Sequence, residues 1–403
     1  MSNSILTIDM ITRKALEILE NSLVLTRNVN RQYDSAFAVE GAKIGSSVRI
    51  RKPDRALVTT GAALQVQDEN QQYTTLNLAT QKHIGVNFTT AELTMQLSDF
   101  ADIILKPRIS QLAASIDADV ANAYKSIYQS VGTPGTTPST SLVLLQAQQK
   151  LNEAAAMQDP RYCTVSPAAN AGLVEGMKGF FNPTGTISRQ FQTGMMGEGV
   201  LGYSEVNMSQ SITSHTRGTT PVAPIVATTV STQGQATLDI SFTSGSPTFK
   251  IGDVFTISGV YSVNPQTRVS TGSLQQFVVT ADLNISSATT GTLNVSPPMY
   301  TAAHALATID AFPVATTGTL TFLGSTSGVY PQNLVYHKDA ITFATADLIM
   351  PQGVDMASRQ VHNGISMRIV RQYDINNDRL PCRIDVLYGY AVMRPEMACR
   401  IWG

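Results

Sequence analysis

Apolar residues recur at steps of three and four near the start of the chain. Ile5, Ile8, Ile11, Ala15, Ile18 and Leu19 share one stripe, and Thr7 followed by Asp9 marks the start of an amphipathic helix. The period then drops to two. Val48 and Ile50 open one alternating arm, a polar Gly-containing stretch follows, and Leu76, Leu78, Ile84, Val86 and Phe88 take alternate positions in a second arm, which predicts a long extended hairpin reaching away from a core. Helical spacing returns from Lys106 to Gln129. Ile109, Leu112, Ala113, Ile116, Val120, Ala123, Tyr124 and Ile127 form the apolar face of a spine helix about 36 Å long, with Pro107 in its first turn. Thr90 to Leu105 has apolar spacing of its own and predicts a short helix bent at the proline.

Beyond the Gly/Pro/Thr loop VGTPGTTPSTS the pattern alternates. SLVLLQAQQKLNEAAAM and NAGLVEGMKGFF read as helices around the strand RYCTVSP, and a Gly-rich stretch turns into the strand YSEVNMS. At about Thr219 the style changes to short β-branched or aromatic runs, among them ATLDISF, DVFTISGV, QQFVVTAD and TGTLTFLG, separated by turn residues, which predicts a small barrel or sandwich. From Thr219 to Tyr330 the only charged side chains are Asp239, Lys250, Asp253, Arg268, Asp282 and Asp310. After Asn333 the earlier style resumes, and the chain closes with a long strand pair about an Asn-Asn-Asp turn. The organisation read from these changes is an N-terminal arm (1–45), an extended loop (46–88), a spine-helix domain (89–130), a mixed domain in two parts (131–218 and 327–403), and an inserted β domain (219–326). No fixed-period repeat is visible.

Composition sharpens this. Charged residues are 14% of the 403, against roughly a quarter in most soluble domains, and 28 basic and 29 acidic side chains leave a net charge of -1. Such neutrality excludes broad attraction to nucleic acid or to anionic membranes and favours association with like copies. No apolar run reaches the roughly 20 residues of a membrane span, and the charged start is no signal peptide, which predicts a soluble chain made in the cytoplasm. Cys163, Cys382 and Cys399 are too scattered for a zinc motif or a disulfide framework.

Candidate chemistry is sparse. His83, His215, His304, His337 and His362 lack metal or hydrolase spacing and read as separate surface or satisfied histidines; Cys163 has no nucleophile elbow and reads as core. Gly194 to Gly202, GMMGEGVLG, lacks the Lys-Ser/Thr of a phosphate loop and reads as a turn leading into a strand. No cofactor or metal site is expected, and no enzyme. The densest basic cluster is Arg49, Arg51, Lys52 and Arg55, for which three readings stay open: pairing with acidic side chains of another subunit, solvated charge, or nucleic-acid contact. With Asp68 and Glu69 these are the candidate intersubunit residues, and Ile109, Leu112, Ile116, Val120 and Tyr124 are the candidate packing face of the spine.

Four stretches carry a resemblance: FKIGDVFTISGV (Phe249 to Val260), LNVSPP (Leu293 to Pro298), HKDAITFATADLIMP (His337 to Pro351) and CRIDVLYGYAVMRPEMACRI (Cys382 to Ile401). They resemble the major capsid proteins of tailed bacteriophages with the Hong-Kong-type fold, in particular the coat proteins of short-tailed phages that carry an inserted β domain. The resemblance implies an α+β fold of N-arm, extended loop, peripheral domain with spine helix, and axial domain holding a small barrel. It also implies assembly into pentamers and hexamers of an icosahedral shell, with a scaffolding protein, a portal protein and packaged double-stranded DNA as partners, and a procapsid that expands. The alternative is a tail or adhesin-type structural β protein.

Overall fold

In a computed structural model of the chain, residues 8–31, 47–62, 64, 66, 72–89, 105–177, 197–220, 223–286, 289–377 and 379–403 are described. They fall into two compact units: Met1–Ile50, Tyr73–Val120 and Ile341–Ala391 form the first, and Arg51–Gln72, Ala121–Ala340 and Val392–Gly403 the second. Asp68, Glu69 and most of the bent helix expected before Leu105 lie outside the described residues.

In the first unit the N-terminal helix runs Ile8–Ser22 and lies against the strands Met356–His362 and Ile365–Arg371. Its buried face is Thr12, Ala15, Leu16 and Leu19, continued by Leu23, while Ile11 and Ile18 sit at the border. The helix of the expected N-terminal arm therefore packs into a core. Its stripe is rotated from the one read in the sequence because the sheet it covers, not its own spacing, decides which apolar residues face inward. Asp9 and Glu20 tie it down at Ser358 and Asn363.

The spine helix is α-helical over Lys106–Ala121 and then tightens into a 3-10 turn, Asn122–Ser126, with Ile127 extended. Ile109, Leu112, Ile116 and Val120 are buried as expected, but the helix ends eight residues before Gln129. Asp117 on its flank is also buried. Its carboxylate accepts the backbone N–H groups of Val24 (2.7 Å), Leu25 (3.3 Å) and Thr26 (3.0 Å) and the Thr26 hydroxyl (2.5 Å), so one acid satisfies the chain where it leaves the first helix.

The long strand Arg379–Val392 is the axis of a five-stranded sheet. It pairs antiparallel with Ile365–Arg371, across the expected Asn-Asn-Asp turn, and with Thr80–Thr89 along ten positions, from Arg379 opposite Thr89 to Tyr388 opposite Thr80. The second arm of the expected hairpin is thus two strands. Tyr73–Asn77 pairs with Ser47–Arg51, whereas Thr80–Thr89 belongs to the sheet. Alternation reads alike in a projecting arm and in a sheet strand, so only the partner separates them. The close crossing at Asn77 needs Gly389, where a Cβ would lie 2.0 Å from the Asn77 carbonyl oxygen.

The second unit holds two large sheets, besides the short antiparallel pair Thr248–Phe249 with Leu283–Asn284. Strands Ser130–Val131, Ala398–Trp402, Val329–His337, Arg161–Val165, Tyr203–Met208 and Gly197–Val200 line up in that order, accompanied by helices Ser141–Glu153 and Pro167–Met177. The Gly-rich stretch supplies a hairpin here, with Leu201 and Gly202 at positive φ between Gly197–Val200 and Tyr203–Met208. The other sheet is built from 225–322 alone, in the order Leu320–Phe322, Val254–Val263, Ser270–Val279, Thr290–Met299, Gln235–Ser241, Ile225–Val226. A bridge between Ile225 and Thr319 joins its two edges into a barrel around Leu238, Ile240, Phe255, Phe277, Leu293 and Leu320. Phe255 and Phe277 stack at 5.7 Å between centroids.

The chain enters and leaves the barrel at one place. Ser214–Thr216 pairs with the start of Val329–His337, Thr216 opposite Val329, and the Arg217 N–H donates to the Gly328 carbonyl at 2.9 Å. A segment closed at its base in this way can be removed without stretching the body. Replacing Thr219–Thr326 by a short Gly/Ser linker is therefore expected to leave a folded body with α/β circular dichroism and a lowered melting temperature; complete loss of folded protein would show that the barrel is part of the body's own core.

Candidate functional site

The sequence offers few charges in the barrel, and one of them is buried at its base. Asp253 is 2% exposed, in the turn Lys250–Asp253. Its carboxylate accepts from His215 Nε2 at 2.7 Å, from the Gly218 N–H at 3.2 Å and from the Lys250 N–H at 2.9 Å. A carboxylate only accepts, so Nε2 of His215 carries the proton, and Nδ1 faces the Tyr124 hydroxyl at 3.3 Å. Gly252 comes close enough that a Cβ would sit 3.2 Å from both His215 and Tyr124 ring atoms, and its φ of +99° favours glycine there. On the far side Arg400, fully buried, donates to the Gly252 carbonyl at 2.9 Å and lies over the rings of Tyr124 and Trp402.

Arg400 has two nitrogens, Nε and Nη2, without a partner among the described residues. Burial pushes its guanidinium down to about 10, with Tyr124 and Asp253 opposing. Tyr124–His215–Asp253 has the connectivity of a proton relay, but all three side chains are buried, so it presents no face to a substrate. What it does is join the barrel to the sheet of the second unit. Around it Tyr330 and Trp402 meet edge to face at 5.8 Å, and Gln276 exchanges hydrogen bonds with the Ser130 backbone.

The spacing places Tyr124 on the packing face of the spine. It is instead in the 3-10 turn, and its hydroxyl end joins this network. The basic cluster is divided as well. Arg49 is exposed with its guanidinium 5.0 Å from the Tyr73 ring centroid, Arg51 is exposed, Arg55 pairs with Glu396 of its own chain at 3.5 Å, and Lys52 is half-buried in a cleft beside them. Sequence reasoning missed Asp253, His215 and Arg400 as a group. The available signal was an isolated acid in a charge-poor segment and a lone arginine inside the apolar run ACRIWG.

Cys163 and Cys399 lie on the two strands that flank Val335, each opposite it in register, and are free thiols. Burial pushes both up to about 12. Burial likewise raises Tyr124, Tyr203 and Tyr388. Among the described residues no group of three or more His, Cys, Asp or Glu could hold a metal ion.

The family model described as P22 coat protein, gene protein 5, matches residues 1–403. A comparison with curated proteins finds no match. Among solved structures, a chain of Mycobacterium phage Che8 is 12% identical with a TM-score of 0.48, over 94% of this chain and 90% of that one. The asymmetric unit of the bacteriophage PhiM1 mature capsid gives 11% and 0.40 over 93% and 86%, and the virus-like particle from Pyrococcus furiosus 10% and 0.36 over 96% of each.

Removing the clasp acid should cost more than removing the buried cation. Asp253→Ala leaves Arg400 uncompensated and three donors unpaired, an expected loss of about 3–5 kcal/mol in urea unfolding. Arg400→Met removes a desolvated charge of similar volume and is expected to cost clearly less; equal losses would contradict the assignment of Asp253 as the compensating charge. Raising pH should also destabilise the fold. The raised thiols and phenols keep their protons in the folded chain where the unfolded chain has lost them, so stability falls as pH rises above about 9, by up to about 1.4 kcal/mol per pH unit for each group, while lowered Arg400 acts oppositely above pH 10. A urea midpoint unchanged between pH 8 and 10.5 would exclude this burial of the acids.

Proposed function

Since this chain belongs to the P22 coat protein family along its whole length and is a phage major capsid protein, we propose that it assembles as pentamers and hexamers into the icosahedral shell around double-stranded DNA, through a scaffolded procapsid that expands. The match over residues 1–403 carries this reading, and it displaces the tail or adhesin alternative. Scaffolding protein, portal and sequence-independent DNA are its proposed partners, and assembly takes place in the host cytoplasm.

The physical chemistry supports such a role. A net charge of -1 leaves little repulsion between copies, and a subunit with several neighbours needs only a few kcal/mol at each contact, because a closed lattice makes the contacts act together. In this reading the exposed arginines Arg49 and Arg51 and the segment that carries Val58, Leu64 and Val66, all largely exposed, make contacts between subunits. Asp68 and Glu69, outside the described residues, are proposed for contacts between subunits as well.

Coexpression with the neighbouring phage genes, followed by sedimentation and negative-stain electron microscopy, is expected to give closed shells of uniform size with this chain as the main component. Open fibres, or subunits that stay monomeric with a scaffold present, would overturn the reading.

A further inference from the structure

Within the second unit, a cleft of about 180 Å³ draws its lining from two chain segments far apart in sequence and from the barrel. Lys52 and Arg55 come from the first segment, Arg394 and Glu396 from the second, and the barrel adds Pro297 and Pro298. Positive charge is in excess. With Lys150 and Glu153 the lining holds four cations against two acids. Glu396 pairs with Arg55 at 3.5 Å, Lys150 donates to the Ser273 hydroxyl at 3.3 Å, and Glu153 accepts from Gln149 at 2.7 Å.

Two cations are left over. Arg394 donates to the sulfur of Met397 at 3.4 Å, and among the described residues the half-buried Lys52 ammonium makes neither a hydrogen bond nor an ion pair. Burial pushes that ammonium down; Glu396 opposes, and Arg394 and Arg55 add to the fall, so both guanidiniums lie within electrostatic reach of it. Like charges held close and partly out of water repel, and an anion between them relieves the repulsion.

The charge to be balanced and the donors on offer select the anion. Lys52 brings three N–H donors and Arg394 a planar fork of five, of which the sulfur takes one. A carboxylate has a single charge and two oxygens, so it compensates one cation and leaves the other. A phosphate group has about two charges and three acceptor oxygens, enough for both, and guanidinium forks meet phosphate in a bidentate fashion.

We propose that this cleft is a binding site for a phosphate group, held between the Lys52 ammonium and the Arg394 guanidinium. Free phosphate and the backbone of a DNA strand carry the same group, and the test separates them. The site goes beyond the shell role and does not depend on it. It also gives Lys52 a task distinct from the exposed arginines Arg49 and Arg51 that precede it in sequence.

The test uses the full chain as dissociated subunits, so that its outcome is separate from whether shells close. Subunits are treated with pyridoxal phosphate, an aldehyde that carries the group, or with pyridoxal, which lacks it; the imines are reduced with borohydride and the modified lysines located by peptide mass mapping. Labelling of Lys52 by the phosphate-bearing aldehyde is expected to exceed that by pyridoxal about tenfold or more, while the exposed Lys250 shows no such preference. Arg394→Gln is expected to remove most of the preference, and Arg13→Gln, at an exposed site on the N-terminal helix, to leave it unchanged. Competition at constant ionic strength identifies the source. Inorganic phosphate or a six-nucleotide thymidine oligomer is expected to protect Lys52, the one effective at lower concentration being the better fit, and acetate is expected to leave it reactive. No preference over pyridoxal, protection by neither phosphate compound, or equal protection by acetate would overturn the site. Should Arg394→Gln unfold the chain, the two aldehydes and the competitors applied to the unaltered protein decide by themselves.

Discussion

The carboxylate of Asp253 is the interaction on which the second unit depends. It gathers His215, Gly218 and Lys250, residues that span the point where the chain passes into the barrel and the turn by which the barrel sits on its base. The Gly-Asp turn stands out in the sequence for this reason. A barrel whose surface is threonine, serine and glycine has little directional chemistry with which to fix its orientation, and a buried acid with three donors supplies it. Arg400 completes the arrangement at a desolvation cost that its partners only partly offset, so the network selects one docking geometry more than it adds stability.

The first unit solves its junctions the same way. Asp117 collects the backbone donors where the chain leaves the N-terminal helix, Asp385 lies fully buried between Arg368 and Arg383 at 2.5 Å from each, and Asp119 takes both Lys82 and the Tyr388 hydroxyl. In a chain with so few charged residues, several are used inside as ties between segments distant in sequence. The consequence for function is a surface with little charge of either sign, on which weak contacts to many copies meet no strong repulsion.

The cleft below the barrel departs from this economy. There burial pushes the Lys52 ammonium down, and among the described residues the Arg394 guanidinium meets only the sulfur of Met397. Internal ties satisfy their charges within the chain.

The α+β class, the buried face of the spine from Ile109 to Val120, the closing strand pair and the run of short strands that makes the sheet of 225–322 were legible in the sequence, because each rests on the local period of apolar residues or on a change in composition. The sequence could also resemble a coat protein through short stretches whose meaning did not depend on contacts. Three things needed the tertiary structure. Which face of the N-terminal helix is buried depends on the sheet beneath it; whether Thr80–Thr89 projects or joins a sheet depends on its pairing with Arg379–Val392; and the role of Tyr124 depends on His215, 91 residues away, which accepts from its hydroxyl. The grouping of Asp253, His215 and Arg400 was invisible for the same reason. Periodicity records how a segment divides its faces between water and core, whereas a buried charge is explained only by the distant partner that compensates it.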